Sequence, residues 1–207
     1  MRKAFAFVAL CVLVASAVMA QEDDDEEPIG EAPIESDWSF LQAAYAHGDQ
    51  TFTISAGVLF PTLFTGKSGV LTNNVHLGGT GSLAYAYFLT PHWYLGAELG
   101  FMFASTLAEK FLYIIPFGLR VGFQFVLGRF EFPIGIMVGG APQKYLNEKE
   151  FFGFIAKGSA SVFFRITPNW SFGLNGVWWW VPEWTPQPAK NAYGNFLELT
   201  LSARYHF

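Results

Sequence analysis

The chain has 207 residues, a length that suits one domain, and 52% of them are hydrophobic whereas only 14% are charged. Beyond the first twenty residues, no stretch reaches the roughly 18 uninterrupted apolar residues that a membrane helix needs. The net charge of −5 and the lack of a basic stripe interleaved with aromatic residues exclude nucleic acid as a partner. A chain this apolar without helical spans favours a closed barrel with lipid outside, since lipid requires every backbone group to pair internally.

Residues 1–20 predict a cleaved signal peptide. Arg2 and Lys3 give a positive start, an apolar core follows, and Val18-Met19-Ala20 is a small-x-small cleavage site. The only cysteine, Cys11, lies in this segment, so the mature chain is expected to use neither disulfides nor thiolate chemistry. Acylation of Cys11, as in a lipoprotein, is the alternative, but Leu10 is a poor small residue before it.

Residues 21–36 hold eight of the seventeen acidic residues and no basic residue. Such a run repels itself and cannot bury apolar area, which predicts a disordered acidic tail in the periplasm. A weak cation-binding or partner-binding arm is the alternative. In residues 37–50, Trp38, Leu41 and Tyr45 have helical spacing, so this segment is either a short helix, which we favour slightly, or an extension of the first strand.

Residues 51–207 alternate with period two, which predicts eight strands. In the first of them Phe52 and Ile54 share an apolar face, while Thr51 and Thr53 lie on the other. Charged residues fall on the face opposite the apolar one, the inverse of a soluble barrel such as a lipocalin. The predicted strands are Thr51 to Phe60, His76 to Leu89, Tyr94 to Ala104, a fourth that ends near Phe125, Phe130 to Gly139, Phe151 to Ile166, Trp170 to Val181, and Tyr193 to Phe207.

Two turns repeat one motif: Thr90-Pro91-His92-Trp93 and Thr167-Pro168-Asn169-Trp170. The repeat predicts two equivalent hairpins at one end of the barrel. Short and longer connections alternate, which is typical of outer-membrane barrels with short periplasmic turns. Aromatic residues near these turns, including Tyr94, predict an interfacial girdle. The pattern as a whole predicts an all-β fold, an eight-stranded antiparallel transmembrane up-and-down β-barrel.

The last predicted strand ends on an aromatic residue, Phe207. Leu199, Leu201, Tyr205 and Phe207 lie on its apolar face, an arrangement that resembles the C-terminal signal of bacterial outer-membrane barrels, although an ordinary edge strand is the alternative. Residues 51–207 as a whole resemble the small OmpW and OmpA type outer-membrane proteins. The resemblance implies a place in the bacterial outer membrane and the cell envelope, with outer-membrane lipid and the barrel-assembly machinery as partners.

Charged residues on the inner face are expected to pair, because an unpaired buried charge costs several kcal/mol. They predict an ion-pair lattice that plugs the lumen; a gated narrow pore through the same residues is the alternative. The predicted set is Glu98, Arg120, Glu131, Lys157, Arg165, Glu198 and Arg204.

Apolar residues on the inner face collect nearer the outer mouth. They predict either a cup for a small hydrophobic ligand or packing that closes the top. The OmpW resemblance implies passage of hydrophobic compounds, so the function expected is a porin-like narrow channel or binding cup; the alternative is a non-conducting structural or adhesin-like barrel. The predicted mouth consists of Met102, Met137, Ile155, Val177, Trp179 and Phe196, with Leu59 and Pro116 beside them.

No catalytic, cofactor or metal site is predicted, and the chain is not expected to be an enzyme. A lipid-modifying enzyme would need a nucleophile and a base near the outer rim. His76, Ser68 and Glu109 lie near that rim, but no motif spacing links them.

Overall fold

The computed structural model of the protein describes residues 45–67, 69–71, 75–106, 111–144, 151–183 and 191–207, all within one compact unit, Trp38–Phe207. Among these residues, no helix has the length and apolar character needed to cross a bilayer. The strands are β1 (Gln50–Gly66), β2 (Gly69–Leu71), β3 (Val75–Phe88), β4 (Trp93–Thr106), β5 (Phe111–Ile114), β6 (Phe117–Leu127), β7 (Phe130–Lys144), β8 (Phe151–Arg165), β9 (Trp170–Glu183) and β10 (Ala192–His206).

The strands form one antiparallel sheet that closes on itself. Neighbouring strands pair in chain order, and β10 then pairs with β1 from Thr51 opposite His206 to Gly66 opposite Ala192. β5 and β6 together make one barrel strand, because both pair with β4 and β7. The barrel therefore has eight strands, with β2 as a short addition to the end of β1, and the predicted fold class is confirmed.

The two faces of the sheet differ as the alternation predicted. Apolar side chains such as Leu119, Leu174 and Leu201 are exposed on the outside, the last of them with 71% of its surface accessible. Charged and polar side chains such as Lys157, Glu198 and Arg204 are buried inside. A sheet that buries charge and exposes a continuous apolar belt is stable only when hydrocarbon surrounds it, so the barrel is a transmembrane one.

Short connections gather at one end of the barrel, here called the turn end. They are residues 89–92, Gly128 with Arg129, and residues 166–169; β1 starts there and β10 ends there. In both Thr-Pro-x-Trp turns the threonine hydroxyl accepts a hydrogen bond from the backbone N–H of the tryptophan. The distance is 3.0 Å from Trp93 N to Thr90 Oγ1 and 3.1 Å from Trp170 N to Thr167 Oγ1. The opposite end, here called the loop end, carries the remaining connections.

Three strand predictions needed correction. The first predicted strand stopped at Phe60, before the loop predicted from Pro61, yet β1 continues to Gly66 through an irregularity between Pro61 and Leu63. The fifth stopped at Gly139, whereas β7 continues to Lys144. The fourth was predicted as continuous, but Ile115 and Pro116 interrupt it. The interruption is held by hydrogen bonds from Gly100 N to Pro116 O (2.7 Å) and from Ile115 N to Pro142 O (3.0 Å).

The region before β1 is only partly described. The predicted signal peptide (1–20), the acidic tail (21–36) and residues 37–44 lie outside the described residues. In residues 45–50, His47 and Gly48 form a turn and Gln50 opens β1, so the choice between a short helix and a strand extension concerns residues 37–44, outside the described residues. Tyr94 was wrongly assigned to the girdle: its side chain is buried in the lumen, because Leu95 takes the outward position beside it.

Candidate functional site in the barrel lumen

Side chains fill the lumen in three layers. The turn-end cluster consists of Tyr45, Glu131, Arg165, Ser171, Arg204 and His206. The middle cluster consists of Glu98, Arg120, Lys157 and Glu198. The apolar layer lies towards the loop end and consists of Leu59, Met102, Ile114, Ile155, Trp179 and Phe196, which belong to one group of mutually packed buried residues.

Glu131 is the centre of the turn-end cluster. One carboxylate oxygen, Oε1, pairs with Arg165 Nη2 at 2.8 Å, and the other, Oε2, pairs with Arg204 Nη1 at 3.2 Å. Oε2 also accepts a hydrogen bond from the Tyr45 hydroxyl at 2.9 Å. The carboxylate is almost completely buried, so these donors replace the water that would otherwise solvate its charge.

Tyr45 precedes β1 in the chain, and its buried side chain closes the lumen at the turn end. Its ring stacks on Phe88 with centroids 3.9 Å apart and planes 14° apart, and its hydroxyl lies 3.0 Å from His206 Nδ1. Burial raises the pKa of Tyr45 to about 12, so its hydroxyl remains a donor at neutral pH. The sequence left Tyr45 on either a short helix, slightly favoured, or an extension of the first strand, and the alternation pattern contains no signal that places its side chain in the lumen.

Ser171, His206 and Glu131 superficially resemble a nucleophile, a base and an orienting acid. Ser171 Oγ lies 2.7 Å from His206 Nε2, and Glu131 Oε1 lies 3.8 Å from the same nitrogen. However, His206 Nδ1 lies 3.0 Å from Arg165 Nη2, which can only donate a hydrogen bond, whereas the Tyr45 hydroxyl, also at 3.0 Å, donates its one proton to Glu131. The proton therefore resides on Nε2, which donates to Ser171 instead of accepting from it, and the imidazole cannot activate the serine.

The middle cluster joins two carboxylates to two cations. Glu98 Oε1 pairs with Lys157 Nζ at 2.8 Å, and Glu98 Oε2 lies 3.5 Å from Arg120 Nη1. Glu198 instead accepts a hydrogen bond from Trp179 Nε1 at 2.6 Å. Lys157 Nζ lies 3.9 Å from the centroid of the Trp179 ring, a cation–π distance. Trp179 thus connects the middle cluster to the apolar layer.

The apolar layer is closely packed. Leu59, Ile155 and Trp179 each have 0% of their surface exposed. Side chains of this size with no exposed surface indicate dense packing, since protein interiors pack as densely as organic crystals.

The structure places the predicted site residues in two charged groups rather than one lattice. Glu131, Arg165 and Arg204 meet at the turn end, and the other four form the middle cluster. Of the predicted mouth, Met102, Ile155, Trp179 and Phe196 pack in the apolar layer with Val177 against it, while Met137 is buried beside Lys157 on the neighbouring strand. Of the predicted C-terminal signal, Leu199, Leu201 and Phe207 are exposed on the outside, and Tyr205 contacts Phe207 with ring centroids 5.0 Å apart.

Several lumen residues were not singled out from the sequence. They are Tyr45, Gln124, Ser171, Asn175 and His206; Asn175 Nδ2 donates to the hydroxyls of Ser55 and Thr200, at 3.2 Å in both cases. Gln124 and His206 lie on the inward faces of their strands, so alternation was sufficient to place them inside. Their roles depend on which strands face each other across the lumen, and alternation does not contain that information. Of His76, Ser68 and Glu109, only His76 is described; it is exposed on β3.

A family model of treponemal proteins of unknown function matches residues 30–205. The chain belongs to this treponemal family. An uncharacterized protein of Treponema pallidum (strain Nichols) is 30% identical over 136 residues, covering 65% of this chain and 62% of the relative. An uncharacterized protein of Borreliella burgdorferi is 22% identical over 178 residues, covering 75% of this chain and 83% of that protein. The chain thus spans 62% of the length of the treponemal relative.

Two solved structures resemble this family member in fold. The outer membrane protein OprG from Pseudomonas aeruginosa has a TM-score of 0.52 at 10% identity, covering 79% of this chain and 98% of that chain. Neisserial surface protein A has a TM-score of 0.51 at 14% identity, covering 77% of this chain and 97% of that chain. The fold of this treponemal family member is that of an integral outer-membrane β-barrel.

Proposed function

We propose that this protein is a non-conducting barrel of the bacterial outer membrane that serves the cell envelope as a structural or surface-interaction protein. The observation that carries the proposal is the filling of the lumen along its length by the turn-end cluster, the middle cluster and the apolar layer. An eight-stranded barrel encloses a space that side chains are just able to fill. The lumen lining around Thr53, Arg120 and Arg204 leaves a cavity of about 10 Å³, whereas ligand pockets commonly measure about 300–1,000 Å³.

Two features favour closure over a narrow aqueous pore. The charged residues pair with each other across the lumen, as Glu131 does with Arg165 and Arg204, instead of lining a wall. The apolar layer then lies in series with the charged clusters, so an ion passing through would have to leave water and cross a layer that offers it no counter-charge. Such desolvation costs several kcal/mol.

Conductance of the refolded protein in a planar bilayer tests the proposal. We expect no discrete current steps, with folding verified by a heat-dependent gel shift of the same sample. A variant that removes the apolar layer, Trp179→Ala combined with Phe196→Ala, is the matched comparison. Stepwise currents from the unmodified protein would contradict the proposal, whereas currents from the double variant alone would identify the apolar layer as the barrier.

A binding cup for small hydrophobic molecules is the second candidate function, and it is the one that the OmpW resemblance implied. The aromatic side chains of Trp179 and Phe196 favour it, since they give the apolar layer a large apolar surface on the loop-end side of the charged clusters. Titration with a long-chain amphiphile while tryptophan fluorescence is followed tests this candidate. A saturable change that Trp179→Phe abolishes would support it, and a change retained by that variant would argue against it.

Assembly follows from the same proposal. With the apolar belt in contact with outer-membrane lipid, delivery to that membrane would use the signal peptide predicted in residues 1–20 and recognition of Leu199, Leu201, Tyr205 and Phe207 by the barrel-assembly machinery. Deletion of Phe207 tests the second step: we expect less folded protein in the outer membrane of expressing cells, with refolding in detergent unchanged. An unchanged amount in the membrane would contradict the assembly role.

A further inference from the structure

Glycines on the outward face of the barrel are of two kinds. In the first kind, a phenylalanine ring of the neighbouring strand lies over the glycine. A Cβ added at Gly79 would collide with the ring of Phe103, and one added at Gly81 would collide with the ring of Phe101. The ring supplies the packing that a glycine lacks, an arrangement known as aromatic rescue. The protein itself therefore covers these positions.

Gly158 on β8 and Gly176 on β9 are of the second kind, because no ring covers them. Among the described residues, nothing lies within 4 Å of a Cβ added at Gly158, and the atoms nearest to one added at Gly176 are Ala160 O at 3.8 Å and Leu199 Cδ2 at 3.9 Å. Neither glycine has a positive φ. The fold would thus accept a larger side chain at both positions. Since glycine weakens a strand and often marks a place where another molecule approaches the backbone, these positions indicate a contact outside the chain.

A groove in the apolar belt, here called the belt groove, passes over Gly176. It crosses the outward faces of β8, β9, β10 and β1, where Ala160, Gly176 and Ala56 are the small residues that line it. Leu174 and Leu201 also line it, with 57% and 71% of their surfaces exposed. Its volume is about 650 Å³, within the range of about 300–1,000 Å³ that is common for ligand sites.

A second groove, of about 470 Å³, continues the belt groove towards the turn end. It shares Leu174 and Leu201 with the belt groove and reaches Phe172 and Ala203. Along β9 the combined groove runs from Phe172 to Gly176, a distance of about 13 Å at about 3.3 Å per residue. Half of the apolar band of an outer-membrane barrel, which is about 25 Å tall, has nearly the same length. The combined groove therefore has about the depth of one bilayer leaflet.

Aromatic side chains surround the point where the combined groove meets the turn end. The Trp170 ring stacks on that of Phe172 with centroids 6.3 Å apart and contacts Tyr205 edge to face at 5.0 Å. Tyr205 contacts Phe207 in the same manner. Tryptophan and tyrosine rings are typical of the headgroup level of a bilayer. The groove thus starts at the headgroup level and continues into the hydrocarbon, which is the course of a lipid acyl chain.

We propose that the combined groove binds one acyl chain of a phospholipid from the leaflet on the turn-end side, and binds it more tightly than the rest of the belt binds lipid. The uncovered backbone at Gly176 lets chain methylenes pack closely, and the exposed leucines enclose them. A second copy of the chain is the rival occupant. Two convex barrels side by side touch through protruding side chains, here Leu174 and Leu201, so a second copy would leave the floor of the groove empty.

A phospholipid with bromine atoms in one chain locates that chain directly, because bromine scatters anomalously. Crystals of the unmodified protein, refolded in phosphatidylcholine that carries a dibromostearoyl chain, should show an anomalous peak in the groove beside Gly176 and Leu201. Peaks of equal height all round the belt, or no peak in the groove, would mean ordinary surrounding lipid only and would overturn the proposal.

Native mass spectrometry counts the phospholipid that stays on the folded barrel after transfer from phosphatidylcholine vesicles into detergent. The unmodified protein should keep one molecule. Gly176→Leu puts four carbon atoms on the floor of the groove, and the chain would lose about ten carbon contacts, which corresponds to about a tenfold loss of affinity. Ala97→Leu is the matched control: it adds the same side chain at an exposed position of β4, on the opposite side of the barrel, and should keep the lipid.

Equal retention of lipid by the three proteins would overturn the proposal, and so would a lipid-free unmodified protein. A dimer of the unmodified protein that Gly176→Leu converts into monomers would also overturn it, because a second copy would then occupy the groove. A heat-dependent gel shift verifies the folding of each variant. The bromine experiment uses the unmodified chain, and it decides the question on its own where Gly176→Leu does not fold.

Discussion

The two ends of the lumen are filled in different ways. At the turn end, one carboxylate, that of Glu131, is surrounded by Tyr45, Arg165 and Arg204 at hydrogen-bond distances of 2.8–3.2 Å. At the loop end, Trp179 and its neighbours make contacts that depend on volume rather than on the position of single atoms. A buried cluster of paired charges tolerates few changes of chemistry at constant shape, whereas apolar packing tolerates hydrophobic substitutions that keep the side-chain volume. The comparison can therefore be tested with substitutions that keep side-chain shape.

The largest effect is expected from Glu131→Gln. The substitution keeps the shape but leaves Arg165 and Arg204 buried without a counter-charge, and breaking a buried pair in this way costs about 3–5 kcal/mol. Unfolding by urea in detergent micelles or lipid vesicles, followed by tryptophan fluorescence, measures the loss. If the free energy of unfolding of Glu131→Gln equalled that of the unmodified protein within error, the turn end would be no more sensitive to a change of chemistry than the loop end.

Glu98→Ala tests the middle cluster, where the effect should be smaller. Lys157 would lose a hydrogen bond of 2.8 Å, while Arg120, already 3.5 Å away, would lose little. Since a hydrogen bond to a charged group contributes about 1.5–3 kcal/mol, we expect a loss in that range. Lys67→Gln, at an exposed position, is the control and should leave the unfolding free energy unchanged. An unchanged thermal unfolding midpoint for Glu98→Ala would contradict the pairing.

Tyr45→Phe separates stacking from hydrogen bonding at the turn end. The ring would still stack on Phe88, but Glu131 and His206 would each lose contact with the hydroxyl. We expect a loss of about 1–2 kcal/mol, since one hydrogen bond at a charged acceptor is removed while the stacking remains. Tyr45→Ala, which also removes the ring, should cost clearly more; equal losses for the two variants would show that the hydroxyl contributes everything.

The smallest effect is expected in the apolar layer. Met102→Leu keeps hydrophobic volume, and swaps of this kind usually cost less than about 1.5 kcal/mol. Ile155→Val removes one methyl group and should cost about 0.5–1.5 kcal/mol. Either variant losing as much as Glu131→Gln in the same urea titration would show that the loop end is as specific as the turn end.

The strands and their inward faces could be predicted from the sequence because alternation is a local property. For example, the residues next to Phe52 and Thr53 in the sequence are enough to assign Phe52 to the outer face of the sheet and Thr53 to the inner face. The pairing of Glu131 with Arg165 and Arg204 depends instead on the stagger between strands. The sequence of one strand contains no information about that stagger. The sequence could not place Tyr45 in the lumen for a further reason: it lies before the first alternating segment, and its position is set by the ring of Phe88 and the carboxylate of Glu131.

The turn-end cluster draws on both ends of the barrel sequence. Tyr45 precedes the first strand, and Arg204 and His206 lie at the end of the last, yet all three converge near Glu131. A slip of β10 by one residue would turn Arg204 and His206 towards lipid and leave Glu131 unsatisfied. The cluster therefore stabilises only the closure in which the first and last strands meet in register.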